Sequence, residues 1–137
     1  MIQTLGKPHA ISPTEPMQSY WAEIVEIVHE APNVSTFWLQ FLDPGLREGF
    51  HFKAGQFNML LVPGVGEVAI SISSDMEDTH RIGHTIRSAG NVTSTINRMK
   101  AGDMLGIRGP FGNWWPLDDC VGRDIVVAAG GIGLPPI

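Results

Sequence analysis

From Ser19 onward the chain is a succession of short runs in which apolar and polar positions tend to alternate, each closed by turn-forming residues. "YWAEIVEIVHE" alternates in part and breaks at Ala31-Pro32-Asn33. "STFWLQF" is rich in aromatic and β-branched residues and stops at Asp43-Pro44-Gly45. "GQFNMLLV" closes on the turn "PGVG", and "EVAISISS", "GHTIRSAG" and "MLGIRG" follow, the last ending at Gly109-Pro110. Six short strands at this spacing predict a closed or nearly closed antiparallel barrel, a mainly all-β fold, rather than alternating βα units.

Two stretches depart from the two-residue period. "NVTSTINRMKAGD" sets Val92, Ile96 and Met99 on one face, with Lys100 near its end and Gly102 as a stop. That pattern predicts one short helix between the fifth and sixth strands. Beyond "GPFGNWWPLDDCVGR", the run "DIVVAAGG" is continuously apolar, as in a parallel strand buried on both faces. A domain boundary is therefore expected near Val121–Arg123. Residues 1–17 form an extended arm, 18–120 the barrel, and 121–137 the start of a second domain.

Composition narrows the function classes. At 137 residues with 43% apolar, the chain suits one domain with a real core. Its 16 glycines and 10 prolines fit frequent turns and argue against long helices. A net charge of −5, with no run of like charge, argues against nucleic acid as a partner. Cys120 is the only cysteine, so this chain alone builds no disulfide, zinc ribbon or four-cysteine iron–sulfur site. The five histidines lack a metalloprotease-like pairing, and no metal site is expected. The N-terminus has no secretory core, and no stretch nears the roughly 18 apolar residues of a membrane span, so a cytoplasmic protein is expected.

Four features carry candidate chemistry. Gly90-Asn91-Val92-Thr93 opens the predicted helix with free backbone N–H groups, Thr93 adds a hydroxyl, and Arg87 lies just upstream: a phosphate-binding set. Taken alone, it is also an ordinary capped helix with one surface arginine. In "AISISS", Ser71 and Ser73 alternate with Ile70 and Ile72, so one side of the strand presents hydroxyls to a planar ligand or to water. Trp114 and Trp115 cover a cofactor, contact a partner or close the barrel's end. Gly130, Gly131 and Gly133 let a backbone approach a pyrophosphate closely, although their G-G-x-G spacing is not that of a dinucleotide fingerprint.

In order, "AGQF", "AISIS", "HTIRSAGNVT", "GDMLGIRGPFGN" and "VVAAGGIGLPPI" resemble the ferredoxin–NADP reductase superfamily, closest to the gamma flavoprotein subunits of soluble NiFe hydrogenases and of anaerobic sulfite reductase. The electron-transfer subunit of dihydroorotate dehydrogenase is similar too. The resemblance spans about Ser19 to Ile137. It implies a six-stranded barrel binding FAD, followed by a Rossmann-like NAD(P)H domain of which only the first strand and turn are present, as in a truncated reductase subunit.

The family's first flavin segment then falls on Val68, Ala69, Ile70 and Ser71. Of these Ser71 matches, while Val68 stands for the usual Arg and Ile70 for an aromatic. The second segment falls on Thr85, Ile86 and Arg87, with Arg87 supplying part of the missing charge, and the phosphate-binding turn on Gly90, Asn91, Val92 and Thr93. The nicotinamide motif begins at Gly130, Gly131 and Gly133.

Electrons would pass from nicotinamide through flavin to an iron–sulfur or hydrogenase partner subunit. No side chain is expected to act as a dedicated acid or base, and the chain alone should have little NAD(P)H oxidase activity. The alternative is a non-catalytic barrel serving assembly, or an inactive fragment.

Overall fold

The structure, a computed structural model, describes residues 17–137 apart from Thr79. The expected arm, 1–17, thus lies outside the described residues except for Met17. Six strands form: β1 (Tyr20–Ala31), β2 (Val34–Phe41), β3 (Phe57–Val62), β4 (Gly66–Ser71), β5 (Ile82–Arg87) and β6 (Met104–Phe111). They make one sheet in the order β4-β3-β6-β1-β2-β5. Every resolved pairing is antiparallel, as the period-two runs predicted.

The first and last strands in that order meet and close the barrel. Just past β4, the Ser73 N–H donates to the Gly83 carbonyl on β5 at 2.9 Å, and the Gly83 N–H donates to Ser74 Oγ at 2.9 Å. Inward-facing side chains fill the interior: Ile24, Phe37, Leu39, Leu60, Ile86, Leu105 and Ile107 are each at most 1% exposed. Full burial of a residue of this size stabilises by roughly 1.5–3 kcal/mol, so the core holds the strands in register.

Two short helices sit on the barrel. The predicted one, α2 (Asn91–Ile96), buries Ile96 completely and packs Val92 and Met99 against the core. The other, α1 (Pro44–Gly49), occupies a stretch read from sequence only as a stop signal. Asp-Pro-Gly ends β2, but the same residues also start a helix. Asp43 Oδ1 accepts from the N–H groups of Gly45 (2.7 Å) and Leu46 (3.2 Å), and Pro44 needs no donor in the first turn. Leu46, only 2% exposed, anchors α1 to the core. Asp43→Ala should lower stability by about 1 kcal/mol in urea unfolding.

The expected strand over "DIVVAAGG" is not formed. Residues 124–130 have no ladder partner among the described residues, and Ile125, Val126 and Val127 are 59%, 94% and 56% exposed. Apolar composition alone does not make a strand; the ladder needs a neighbour, and none of the six strands runs beside this segment. The chain then returns to the barrel. Gly131–Gly133 form a short 3₁₀ turn near β5, and Trp115 Nε1 donates to the Pro136 carbonyl at 3.2 Å.

Candidate functional site

The closing edge of the barrel and the returning C-terminal segment enclose two adjoining cavities, of about 610 and 290 Å³. Ser73, Thr85, Arg87, Ile132 and Pro135 belong to the walls of both. The larger reaches outward past Thr36 and Trp38 to Glu30, and the smaller runs past Ala69, Ile70 and Ser71 to Thr93. Together they have the size of a site for a cofactor-sized ligand.

Strand pleating decides which side chains reach this space. On β4, Ala69 and Ser71 are exposed, while Val68 leans into the core. On β5, Thr85 and Arg87 face outward, and Ile86 between them is wholly buried. Ile86 therefore offers a ligand nothing but backbone. Of the residues named from sequence, the cavity walls include Ala69, Ile70, Ser71, Thr85, Arg87, Thr93 and Gly131; Val68, Ile86, Gly90, Asn91, Val92, Gly130 and Gly133 do not line them.

Thr93 is 8% exposed, and its hydroxyl is already engaged. Its oxygen accepts from the N–H groups of Ala89 (3.0 Å) and Gly90 (2.9 Å), and its proton goes to the Gly90 carbonyl at 3.2 Å. It shapes the Ala89–Gly90 turn, so the free phosphate donor expected there is absent, and the cation on these walls is Arg87.

Sequence reading passed over Glu30, Thr36 and Trp38. The signal was local but incomplete, because Thr36 and Thr85 become neighbours only through the register that pairs β2 with β5. Thr36 Oγ1 lies 2.9 Å from Thr85 Oγ1, which lies 2.9 Å from Ser73 Oγ. Trp38 stacks under the guanidinium of Arg81, 4.1 Å from its ring centre.

Behind the cavity wall, His84 and Asn58 are fully buried. A carbonyl only accepts, so His84 Nδ1 carries a proton and donates it to the Ser71 carbonyl at 3.0 Å. His84 Nε2 then accepts from Asn58 Nδ2 at 3.2 Å. Burial pushes the imidazole down to about 4, against the pull of its carbonyl acceptors, and keeps it neutral. On the far edge of β4, Arg108 holds the Glu67 carboxyl below its ordinary range through a 2.7 Å hydrogen bond, with no part in the cavity.

The fold, with ligand-sized cavities where its first and last strands meet, is that of the ferredoxin reductase-like superfamily, and the chain belongs to it. Among solved structures, the Amycolatopsis cytochrome P450 reductase GcoB superposes with a TM-score of 0.71 and 25% identity, over 87% of this chain and 36% of that one. Phthalate dioxygenase reductase, described as carrying electrons from pyridine nucleotides to [2Fe–2S], matches at a TM-score of 0.63 over 91% of this chain and 39% of that one; at 20% identity it speaks for the fold alone.

Within the superfamily the chain is a relative of the sulfhydrogenase gamma subunits. It is 41% identical over 123 residues to the sulfhydrogenase 2 gamma subunit of Pyrococcus furiosus, covering 89% of this chain and 42% of that protein. A probable dihydroorotate dehydrogenase B electron transfer subunit of Methanocella arvoryzae is 37% identical over 121 residues, covering 88% and 42%. The chain thus spans about two fifths of the length of these relatives. No protein-family model matches it. Among the described residues there is neither a metal-ligating cluster nor a helix long and apolar enough to cross a membrane.

Proposed function

We propose that this barrel binds FAD in the joined cavities and serves as the flavin module of an NAD(P)H-linked electron-transfer protein with an iron–sulfur or hydrogenase partner. The observation that carries the reading is that Ser71, Thr85 and Arg87, from two separate strands, line one connected space. Their chemistry suits the cofactor: one cation for a diphosphate, and hydroxyls for the polar edge of a planar ring. When bound, FAD supplies the exchange between two-electron and one-electron chemistry.

The chain's own residues bind and orient. Arg87, exposed at the end of β5, neutralises phosphate charge in place of an arginine at position 68. Ser71 and Ser73 offer hydroxyls along one side of the wall. Ile132 and Pro135, approaching from the returning segment, narrow the mouth and exclude water from it. The turn at Gly130, Gly131 and Gly133 begins a nicotinamide site, and the choice between NADH and NADPH is not encoded in it.

Purified protein, incubated with FAD and desalted, should keep the visible flavin bands. Arg87→Ala should weaken FAD binding by about tenfold to a hundredfold, the loss of one charge-assisted contact of about 1.5–3 kcal/mol, as measured by flavin fluorescence titration. A folded sample that retains no flavin would sink the reading. Weight would then move to an assembly barrel, a role favoured by the exposed apolar run Ile125–Val127 and by Trp114, 54% exposed.

A further inference from the structure

The hydroxyls that bridge the barrel's closing edge continue to the surface. Thr36 Oγ1 donates to Glu30 Oε1 at 2.8 Å, so Glu30, Thr36, Thr85 and Ser73 form one unbroken chain of hydrogen bonds. Glu30 is exposed, while Thr36 is 7% exposed and shielded. The carboxylate reaches Thr36 because Glu30 is an extra residue in β1. The register passes from His29↔Ser35 to Ala31↔Val34, leaving Glu30 unopposed, and such a bulge re-aims its side chain.

Each hydroxyl has a single proton, which fixes the direction of the chain. With Glu30 ionised, Thr36 donates to it, Thr85 must donate to Thr36, and Ser73 must donate to Thr85. Ser73 is then left with only acceptor lone pairs for the cavity. With Glu30 protonated the order reverses, and the Ser73 hydroxyl is free to donate into the cavity. One proton taken from water at the surface thus changes what the cavity wall offers.

We propose that Glu30–Thr36–Thr85–Ser73 is a proton relay between solvent and an acceptor atom of a cofactor ring in the cavity. This rests on the flavin reading above. In one delivery, the O–H bonds of Glu30, Thr36, Thr85 and Ser73 break. New bonds form to Thr36, Thr85, Ser73 and the acceptor atom, and Glu30 is left ionised. No electron moves through the chain. Glu30 and Arg87 are the charged side chains on these walls. His29, beside Glu30 on β1, turns its ring to Ser35 at 3.0 Å, and the buried His84 faces Asn58 and the Ser71 carbonyl.

Two measurements test the relay, and the first needs no cofactor. In the apo protein, NMR resonances of Thr36 and Ser73 should both shift as Glu30 is titrated. Thr85→Val should silence Ser73 and leave Thr36 responding, and Glu30→Gln, at an exposed position, should silence both. A Ser73 that ignores Glu30 in the wild type overturns the relay even if FAD binds. In FAD-loaded protein reduced with dithionite and reoxidised with ferricyanide, proton release followed by a pH indicator should slow at least about tenfold in Thr85→Val and in Glu30→Gln, as for loss of a positioned proton carrier. Equal release rates overturn the proposal. A chain that switches in the apo protein while FAD is not retained overturns the ring as its target and, separately, the flavin reading.

Discussion

Acidification from pH 6.5 towards pH 4 should cost the wild-type protein about 3 kcal/mol of stability that His84→Leu does not lose. The folded protein holds His84 neutral down to about 4, whereas the unfolded chain protonates it near 6.5. Between those values the unfolded state binds more protons, so stability rises with pH across that window. The contribution is complete above pH 6.5, falls as pH drops, and is gone below about pH 4. The cause is burial: a charged imidazole would sit among core side chains with Asn58 as its one side-chain partner. Urea unfolding of both proteins at several pH values in this window would read the difference. Parallel curves would mean that His84 titrates normally and that the packing around it is wrong. Because His84 also supports the Ser71 carbonyl, acid should loosen the end of β4 before it unfolds the barrel.

The second large effect is expected at Gly109. Its φ of +147° is a conformation that residues with a Cβ rarely adopt, and an added Cβ would collide with Asn58 Oδ1 and stand 3.2 Å from the Phe57 carbonyl. Asn58 has no room to give way, being fully buried and tied to His84. Its Oδ1 has no hydrogen-bond partner and rests instead against the glycine backbone. Gly109→Ala should cost about 3 kcal/mol or more, combining backbone strain with overpacking. Gly64→Ala is the control: φ is +75° there too, but nothing lies within 4 Å of the added carbon, so only about 1–2 kcal/mol of strain is expected. Chemical denaturation of the two variants separates collision from strain. Equal losses would mean that the Asn58 contact is not tight.

Much of this was legible along the chain, and the reasons differ by element. Phe37, Leu39 and Phe41 alternate with Trp38 and Gln40, so β2 could be read from the chain before its neighbours were known. Ile96, with Val92 and Met99, announced α2 in the same way. The failures came where a meaning depends on partners distant in sequence. Asp43-Pro44-Gly45 both ends a strand and starts a helix, and only the pocket waiting for Leu46 selects the second role. Asp124–Gly130 reads as a buried strand by composition but has no sheet to join among the described residues. The relay was hidden for the same reason. A glutamate, two threonines and a serine from four separate stretches mean nothing until a bulge and a register bring them within 2.9 Å of one another.

The order β4-β3-β6-β1-β2-β5 sets a further property of the molecule. Five of the six junctions around the barrel are continuous ladders; the sixth, between β4 and β5, is stitched by a few bonds around Ser73 and Gly83. The cavities open on that sixth junction. The weakest joint of the cylinder is therefore where a ligand sits, and breathing there admits or releases it while the rest stays closed. A ligand lying across the joint acts as its missing ladder. Amide protons at Ser73 and Gly83 should exchange fastest in the empty barrel and gain the most protection when the cavity is filled.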